Sequence, residues 1–122
     1  MVIGIIGILV ALATVSYSAT QKSGRDARRK QDMIAIQNAL EQYYSENDYK
    51  YPETCSDVAV EYLKSAWPSD PDGTGSYQYT TSCSTSSYCV CALMEKVGSG
   101  NAENTICTFG NTKTYYCVAN LQ

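Results

Sequence analysis

MVIGIIGILVALATVSY, Met1 to Tyr17, contains no charged residue and no proline. An apolar run of this length has the composition of a segment that does not face water. At seventeen residues it stands at the short limit for crossing a bilayer, since about 20 residues at 1.5 Å each are needed for a hydrocarbon core of about 30 Å. A cleaved secretory signal has basic residues ahead of its apolar run and a small-residue cleavage site behind it. Ala11 and Ala13 supply an A-x-A, but nothing basic precedes the run. A buried core helix fits less well, because the stretch is apolar on every side and a chain of 122 residues has no core wide enough to surround it. The segment therefore needs lipid or other copies of itself.

Immediately downstream stand Lys22, Arg25, Arg28, Arg29 and Lys30, offset by Asp26 and Asp32, so that residues 1–32 carry +3 and the remainder −6. Such a cluster marks where a helix leaves the bilayer, and by itself it points to the cytoplasmic side. Asp26 with Lys30 and Arg28 with Asp32 are i,i+4 pairs worth a few tenths of a kcal/mol each, so the expectation here is a solvated helix face. Met33, Ile36, Leu40 and Tyr43 or Tyr44 then recur at steps of three and four, the spacing of one apolar stripe. No proline precedes Pro52, and Gly24 is a weak point costing about 1 kcal/mol relative to Ala. Asn47, Asp48 and the Tyr51–Pro52 pair supply the stop. The pattern predicts one helix of about 46 residues, roughly 70 Å long. Its first half wants an apolar surround, and its second half wants a domain on one face.

From Tyr51 onward the cues change. Glu53 to Ala66 reads as a short helix with Ser56 or Asp57 as N-cap and Val58, Tyr62 and Leu63 as its apolar positions, followed by Trp67 against the core. Pro68 to Ser76 is a turn cluster. Strands are expected at Tyr77–Thr81, Tyr88–Met94 and Thr114–Leu121. The fold class is α+β: a long N-terminal α-helix packed on a small antiparallel β-sheet, braced by disulfides.

The six cysteines, Cys55, Cys83, Cys89, Cys91, Cys107 and Cys117, are even in number and confined to the C-terminal part, which favours disulfides formed outside the cytoplasm. Cys89 and Cys91, two apart on a strand, share a face and do not readily bond to each other. Fifteen pairings remain open. The expectation is Cys83 with Cys89 or Cys91, Cys107 with Cys117, and Cys55 with the remaining strand thiol, each contributing about 2 to 4 kcal/mol. No C-x-x-C pair exists, and zinc would have to draw on C-x-C plus remote ligands, so no metal is expected. The absence of histidine removes Ser-His and Cys-His catalysis, His-ligated metals and the C-x-x-C-H haem attachment. Neither an enzyme nor a cofactor is expected. Asp70 and Asp72, with Gly73 and Gly75, form a DPDGTG that is first a turn and only secondarily part of a calcium loop, because the later ligands of such a loop are missing. Eleven tyrosines against one Phe and one Trp suggest a rim with wet hydroxyls, an adaptable contact surface. With −6 after residue 32 and no basic stripe, nucleic-acid binding is disfavoured.

The segment IIGILVALATVSY, the polar run behind it and ALEQYYSENDYKYP at 39 to 52 resemble a type IV pilin or a type II secretion pseudopilin over the N-terminal 52 residues. The resemblance implies an apolar helix that first anchors the subunit in the inner membrane, is then extracted by an assembly machinery, and forms the core of a helical homopolymer. It places the globular part in the periplasm and then outside the cell, which reconciles the basic cluster with the cysteines. On this reading Val2, Ile3, Gly4, Ile5, Ile6, Gly7, Ile8, Leu9, Val10, Leu12 and Val15 form the filament core and anchor, residues 1–24 being the apolar half of the helix, 25–50 its amphipathic half and 51–122 the disulfide-rich head. Gly4 and Gly7 permit close helix approach. The expected function is a major subunit of an extracellular pilus-like filament, serving motility or adhesion, with a surface or host ligand unspecified. A pseudopilin of a secretion or DNA-uptake system, and a membrane-anchored adhesive module that never polymerises, are the alternatives. Major pseudopilins also bind calcium in a C-terminal loop. Two positions depart from the family. Members begin with a short apolar stretch holding a glutamate that pairs with the amino terminus of a neighbour, whereas no carboxylate precedes Asp26 here, and a leader and about seven residues are expected ahead of Met1. Where many pilins carry a helix-breaking proline this chain has Val15.

Overall fold

The computed structural model describes residues 1–63, 66–72 and 77–122, apart from the side chains at 14–16, 18 and 60. Helix α1, Val2–Glu46, is 45 residues long and ends where the Asn47 backbone N–H bonds to the carbonyl of Tyr43. A single 3-10 turn (Cys55–Val58) leads into the short helix α2 (Ala59–Tyr62). Strands β1 (Thr80–Cys83), β2 (Tyr88–Leu93) and β3 (Tyr115–Ala119) then form an antiparallel sheet in the order β1-β2-β3. The class is α+β.

Several boundaries differ from the sequence reading. The expected short helix is part 3-10 and part α, and neither Ser56 nor Asp57 caps it: Thr54 holds the capping position, without a side-chain bond. The first strand starts at Thr80 rather than Tyr77, because Tyr77 and Tyr79 turn to α1, where the Arg29 guanidinium lies 4.8 Å from the Tyr77 ring and the Tyr79 hydroxyl donates to Asp32 at 2.8 Å.

The period of two along β2 decides how the domain is layered. Tyr88, Val90, Ala92 and, just past the strand, Met94 join one buried cluster with Met33, Ile36, Ala39 and Leu40 of α1. The residues between them, Cys89 and Cys91, face the other way and meet Cys117, Ala102 and Cys107. On β3 the same alternation puts Tyr116 and Val118 in front and Tyr115 and Cys117 behind. A central strand is thus covered on both faces, by a helix in front and by the loop between β2 and β3 behind, which is the demand its near-continuous apolar run makes. The loop hugs the sheet closely. Asn101 and Ala102 N–H both donate to the Tyr115 carbonyl at 2.7 and 2.9 Å, and a Cβ at Gly100 would overlap that same carbonyl.

All six cysteines are bonded, but as Cys55–Cys83, Cys89–Cys107 and Cys91–Cys117. Each of the three expected pairings is corrected. Cys83 stands opposite Tyr88 in the sheet register and shares its front face, whereas Cys89 and Cys91 face the back; the hairpin therefore cannot bring Cys83 to either of them. Cys91 and Cys117 are direct cross-strand partners. The Cys117 N–H and C=O bond to the side chain of Asn101, at 2.8 and 3.0 Å, instead of to β2, which marks the closer, non-hydrogen-bonded type of strand pair. Cys107 comes over the sheet from the loop, in a left-handed backbone conformation at φ 58, and takes the remaining Cys89.

Leu40 is fully buried in the front cluster while Ile8, on the same helix, is 65% exposed, so two truncations separate the halves of α1. Leu40→Ala is expected to lower the stability of the disulfide-intact domain by about 2–5 kcal/mol. Ile8→Ala should change it by no more than about 0.5 kcal/mol. Denaturant unfolding followed by tyrosine fluorescence measures both.

Candidate assembly surface and its junction with the head

Val2, Ile3, Ile5, Ile6, Ile8, Leu9, Val10 and Leu12 all stand exposed, at 53% or more. Nothing outside the helix lies within 4 Å of where a Cβ at Gly4 or Gly7 would be. The side chain of Val15, expected in the same set, lies outside the described residues. Among the described residues no helix is long and apolar enough to cross a membrane.

The solvated face expected across residues 22–32 holds for Lys22 and Arg28, which are exposed, but is corrected at Asp26 and Arg29, because the face that carries the stripe starts earlier than its apolar residues do. Asp26 is 4% exposed and Arg29 not at all. Arg29 lies four residues before Met33 and seven before Ile36, so its place on the helix points it under the head. There its Nε and Nη2 donate to the two carboxylate oxygens of Asp70 at 2.6 and 2.9 Å, and its Nη1 donates to Asp26 at 2.8 Å and to Glu95 at 2.9 Å. Glu95 accepts a second fork from Arg25, at 2.6 and 2.8 Å. The Asp26 carboxylate also receives the backbone N–H of Glu95 and of Lys96, each at 2.9 Å. Neither Asp26–Lys30 nor Arg28–Asp32 is the pair that forms: Arg29 takes Asp26, and Asp32 accepts from Tyr79.

Two arginines and three carboxylates thus join α1 to the chain leaving β2 and to the segment before β1. Burial opposes the charge of Arg29, but the hydrogen bonds to Asp70, Glu95 and Asp26 outweigh it and raise its pKa above the ordinary value. The hydrogen bond from Arg25 holds the Glu95 carboxyl down at about 2, with Arg29 adding to it against the opposing effect of burial. The same geometry argues against the secondary calcium reading at Asp70. Both Asp70 oxygens are taken by Arg29, and one also accepts the Asp72 N–H at 2.8 Å; a cation would have to displace a guanidinium. Gly73 and Gly75 lie outside the described residues.

A second carboxylate hub lies further along α1. Glu41 accepts the hydroxyls of Tyr51 and Tyr88, at 2.9 Å each, and the N–H of Leu121 at 2.9 Å. The expected wet rim is therefore corrected for these two tyrosines, which are 2% and 3% exposed. Burial, then the bond to Glu41, pushes the Tyr51 hydroxyl up to about 12; Tyr88 rises for the same reasons. Arg29 is legible in the sequence only as a residue in phase with Met33, Ile36 and Leu40; Glu41, Asp70 and Glu95 leave no comparable signal.

Compared with protein-family models, with curated proteins and with solved structures, the chain finds no match.

The junction predicts an acid limb in stability. Glu95 is depressed from 4.5 to about 2, so its contribution is complete above pH 4.5 and is lost as pH falls toward 2. Glu95→Gln should lower stability at pH 7 and flatten the curve in that window, as read by denaturant midpoints at stepped pH. Arg29→Met should cost about 3–5 kcal/mol, the penalty for stranding buried carboxylates. Arg29→Lys should recover little of it, since an ammonium cannot present a planar fork to Asp70 while reaching Asp26 and Glu95.

Proposed function

We propose that this chain is a structural subunit of an extracellular, pilus-like filament, with the apolar half of α1 packed against the same segment of neighbouring copies and the disulfide-braced head outside. The observation that carries the reading is the contrast along one helix: its second half is covered on one face by its own domain, while residues 2–12 expose large aliphatic side chains all round. A fully buried Leu or Ile contributes about 1.5–3 kcal/mol relative to water, so this surface strongly favours a partner. A second copy supplies one of matching length and chemistry. Three disulfides agree with an oxidising, extracytoplasmic setting. The resemblance of residues 2–52 to type IV pilins supports the same reading, and motility and adhesion are the tasks it suggests. The proposed role is scaffolding rather than catalysis.

Gly4 and Gly7 are the points where neighbouring helices would come closest, since small residues let backbones approach. In the single chain a side chain at Gly7 meets nothing. Gly7→Leu should therefore leave the unfolding midpoint of the head unchanged while lowering the yield of filaments in material sheared from expressing cells, counted by negative-stain electron microscopy. Filaments of undiminished number would remove the packing claim. Single molecules in detergent-free buffer with residues 1–17 intact would remove the filament.

A further inference from the structure

The back face of the sheet gathers four sulfurs. Sγ atoms of Cys89, Cys91, Cys107 and Cys117 all lie within 4.8 Å of one another, and those of Cys89 and Cys91, which belong to different disulfides, are 3.6 Å apart. Four thiolates around a zinc ion at about 2.3 Å stand about 3.8 Å from each other along the edges of the tetrahedron. The spacing set by two residues on one strand face already matches such an edge. Cys117 sits directly opposite Cys91 on β3, and Cys107 is brought over from the loop, so the ligands come from three backbone segments around one point. Cys91 and Cys117 are buried and Cys89 and Cys107 half-buried, which leaves a way in from the loop side. The other two cysteines lie apart from this group, Cys55 and Cys83 packing with the front cluster.

We propose that in the thiol form of the chain these four cysteines make a tetrathiolate site for a soft divalent cation of the zinc type, in competition with the Cys89–Cys107 and Cys91–Cys117 disulfides. The step is a proton exchange: four S–H groups and one divalent cation give a tetrathiolate complex and four protons. No electron moves, and no oxidant or reductant takes part. Disulfide formation, which removes two electrons for each S–S bond, uses the same sulfurs and so excludes the metal. The carbonyl of Asn104 lies 3.8 Å from Cys91 Sγ and 3.4 Å from Cys117 Sγ, and that of Thr105 lies 3.5 Å from Cys89 Sγ. In the metal-free thiol form these oxygens accept the S–H protons that a cation displaces, and because those protons are released, binding strengthens as pH rises. The sheet register alone holds Cys89, Cys91 and Cys117 on one face, so the site needs only the loop carrying Cys107 to stay close. This inference is independent of filament assembly.

The test uses the full chain reduced with a phosphine, titrated anaerobically with Co2+ and then Zn2+. One Co2+ per chain with a tetrahedral, thiolate charge-transfer spectrum is expected, and Zn2+ should displace it. Alkylation of the zinc-loaded chain should modify Cys55 and Cys83 and spare the other four, as read by peptide mass spectrometry. Cys91→Ser should weaken binding by more than about tenfold, since even outer-shell changes at metal sites reach that size. The double variant Cys55→Ser with Cys83→Ser should bind like the parent and guards against a reduced chain that holds metal through any free thiols. Absence of a stoichiometric site, alkylation spread evenly over six cysteines, or a Cys91→Ser variant that binds as tightly as the parent would each overturn the proposal.

Discussion

A guanidinium with no exposure to solvent sets the geometry of this molecule. Apolar packing between α1 and the sheet is non-directional, and by itself it would tolerate the helix turning or sliding by part of a turn. Arg29 does not. Four of its donor contacts go to three carboxylates that lie on α1, on the segment before β1 and on the chain leaving β2. Removing charges from water costs several kcal/mol per ion, and only near-complete pairing recovers it. Any rotation of α1 that broke one of the contacts would leave a carboxylate buried without its partner. The network is therefore a weak source of net stability and a strong constraint on register, and the apolar stripe from Met33 to Leu40 falls onto Val90 and Ala92 because Arg29 fixes where the helix lies.

The two faces of β2 solve different problems. In front, a helix offers enough aliphatic surface to build a core with Val58, Val90 and Val118. Behind, the loop from residue 97 to 114 is polar and offers chiefly Ala102 as a buried apolar residue. Such a loop cannot hold itself down by burial, since the entropy of ordering it exceeds what so little apolar area returns. The Cys89–Cys107 disulfide and the Asn101 bonds to Cys117 replace that missing burial. The cysteines stand at alternate positions on β2 for the same reason the valine and alanine stand between them: a strand buried on both sides presents every second residue to each neighbour.

This division also explains how far the sequence can be read. Period and composition are enough for the helix, its apolar stripe, the three strands and the α+β class, because each is a local pattern repeated over several residues. The disulfide pairing is not legible, since it depends on which face of a paired strand each sulfur occupies, and one residue of register reverses that. Arg29 escapes a local reading for a similar reason. Its neighbours Arg25, Arg28 and Lys30 make the stretch look like a solvated basic belt, and only its phase with Met33 and Ile36 distinguishes it. Its acceptors Asp70 and Glu95 lie 41 and 66 residues away, and no local pattern links residues at such separation. Glu41, one residue after Leu40 and two before a pair of tyrosines, looks like an exposed helix carboxylate until Tyr51 and Tyr88 fold over it.

The position of the clasp along α1 bears on what the proposed assembly would ask of the chain. Among the described residues, Asp26 and Arg29 are the first buried ones met on leaving the exposed apolar half. A pull along the helix axis, of the kind a filament under tension would apply, reaches the head at this point before it reaches the apolar stripe. Apolar side chains slide past one another gradually, each losing a little contact at a time. A bidentate arginine pair has a short range, so it resists until its hydrogen bonds break together. With the fork placed at the leading edge, load is taken by a stiff, directional contact, while Met33, Ile36 and Leu40 behind it are shielded from water until that contact has failed. The order of residues along one helix, exposed aliphatics, then buried charge, then buried aliphatics, is the arrangement in which a single continuous element can both join its neighbours and keep hold of its own domain.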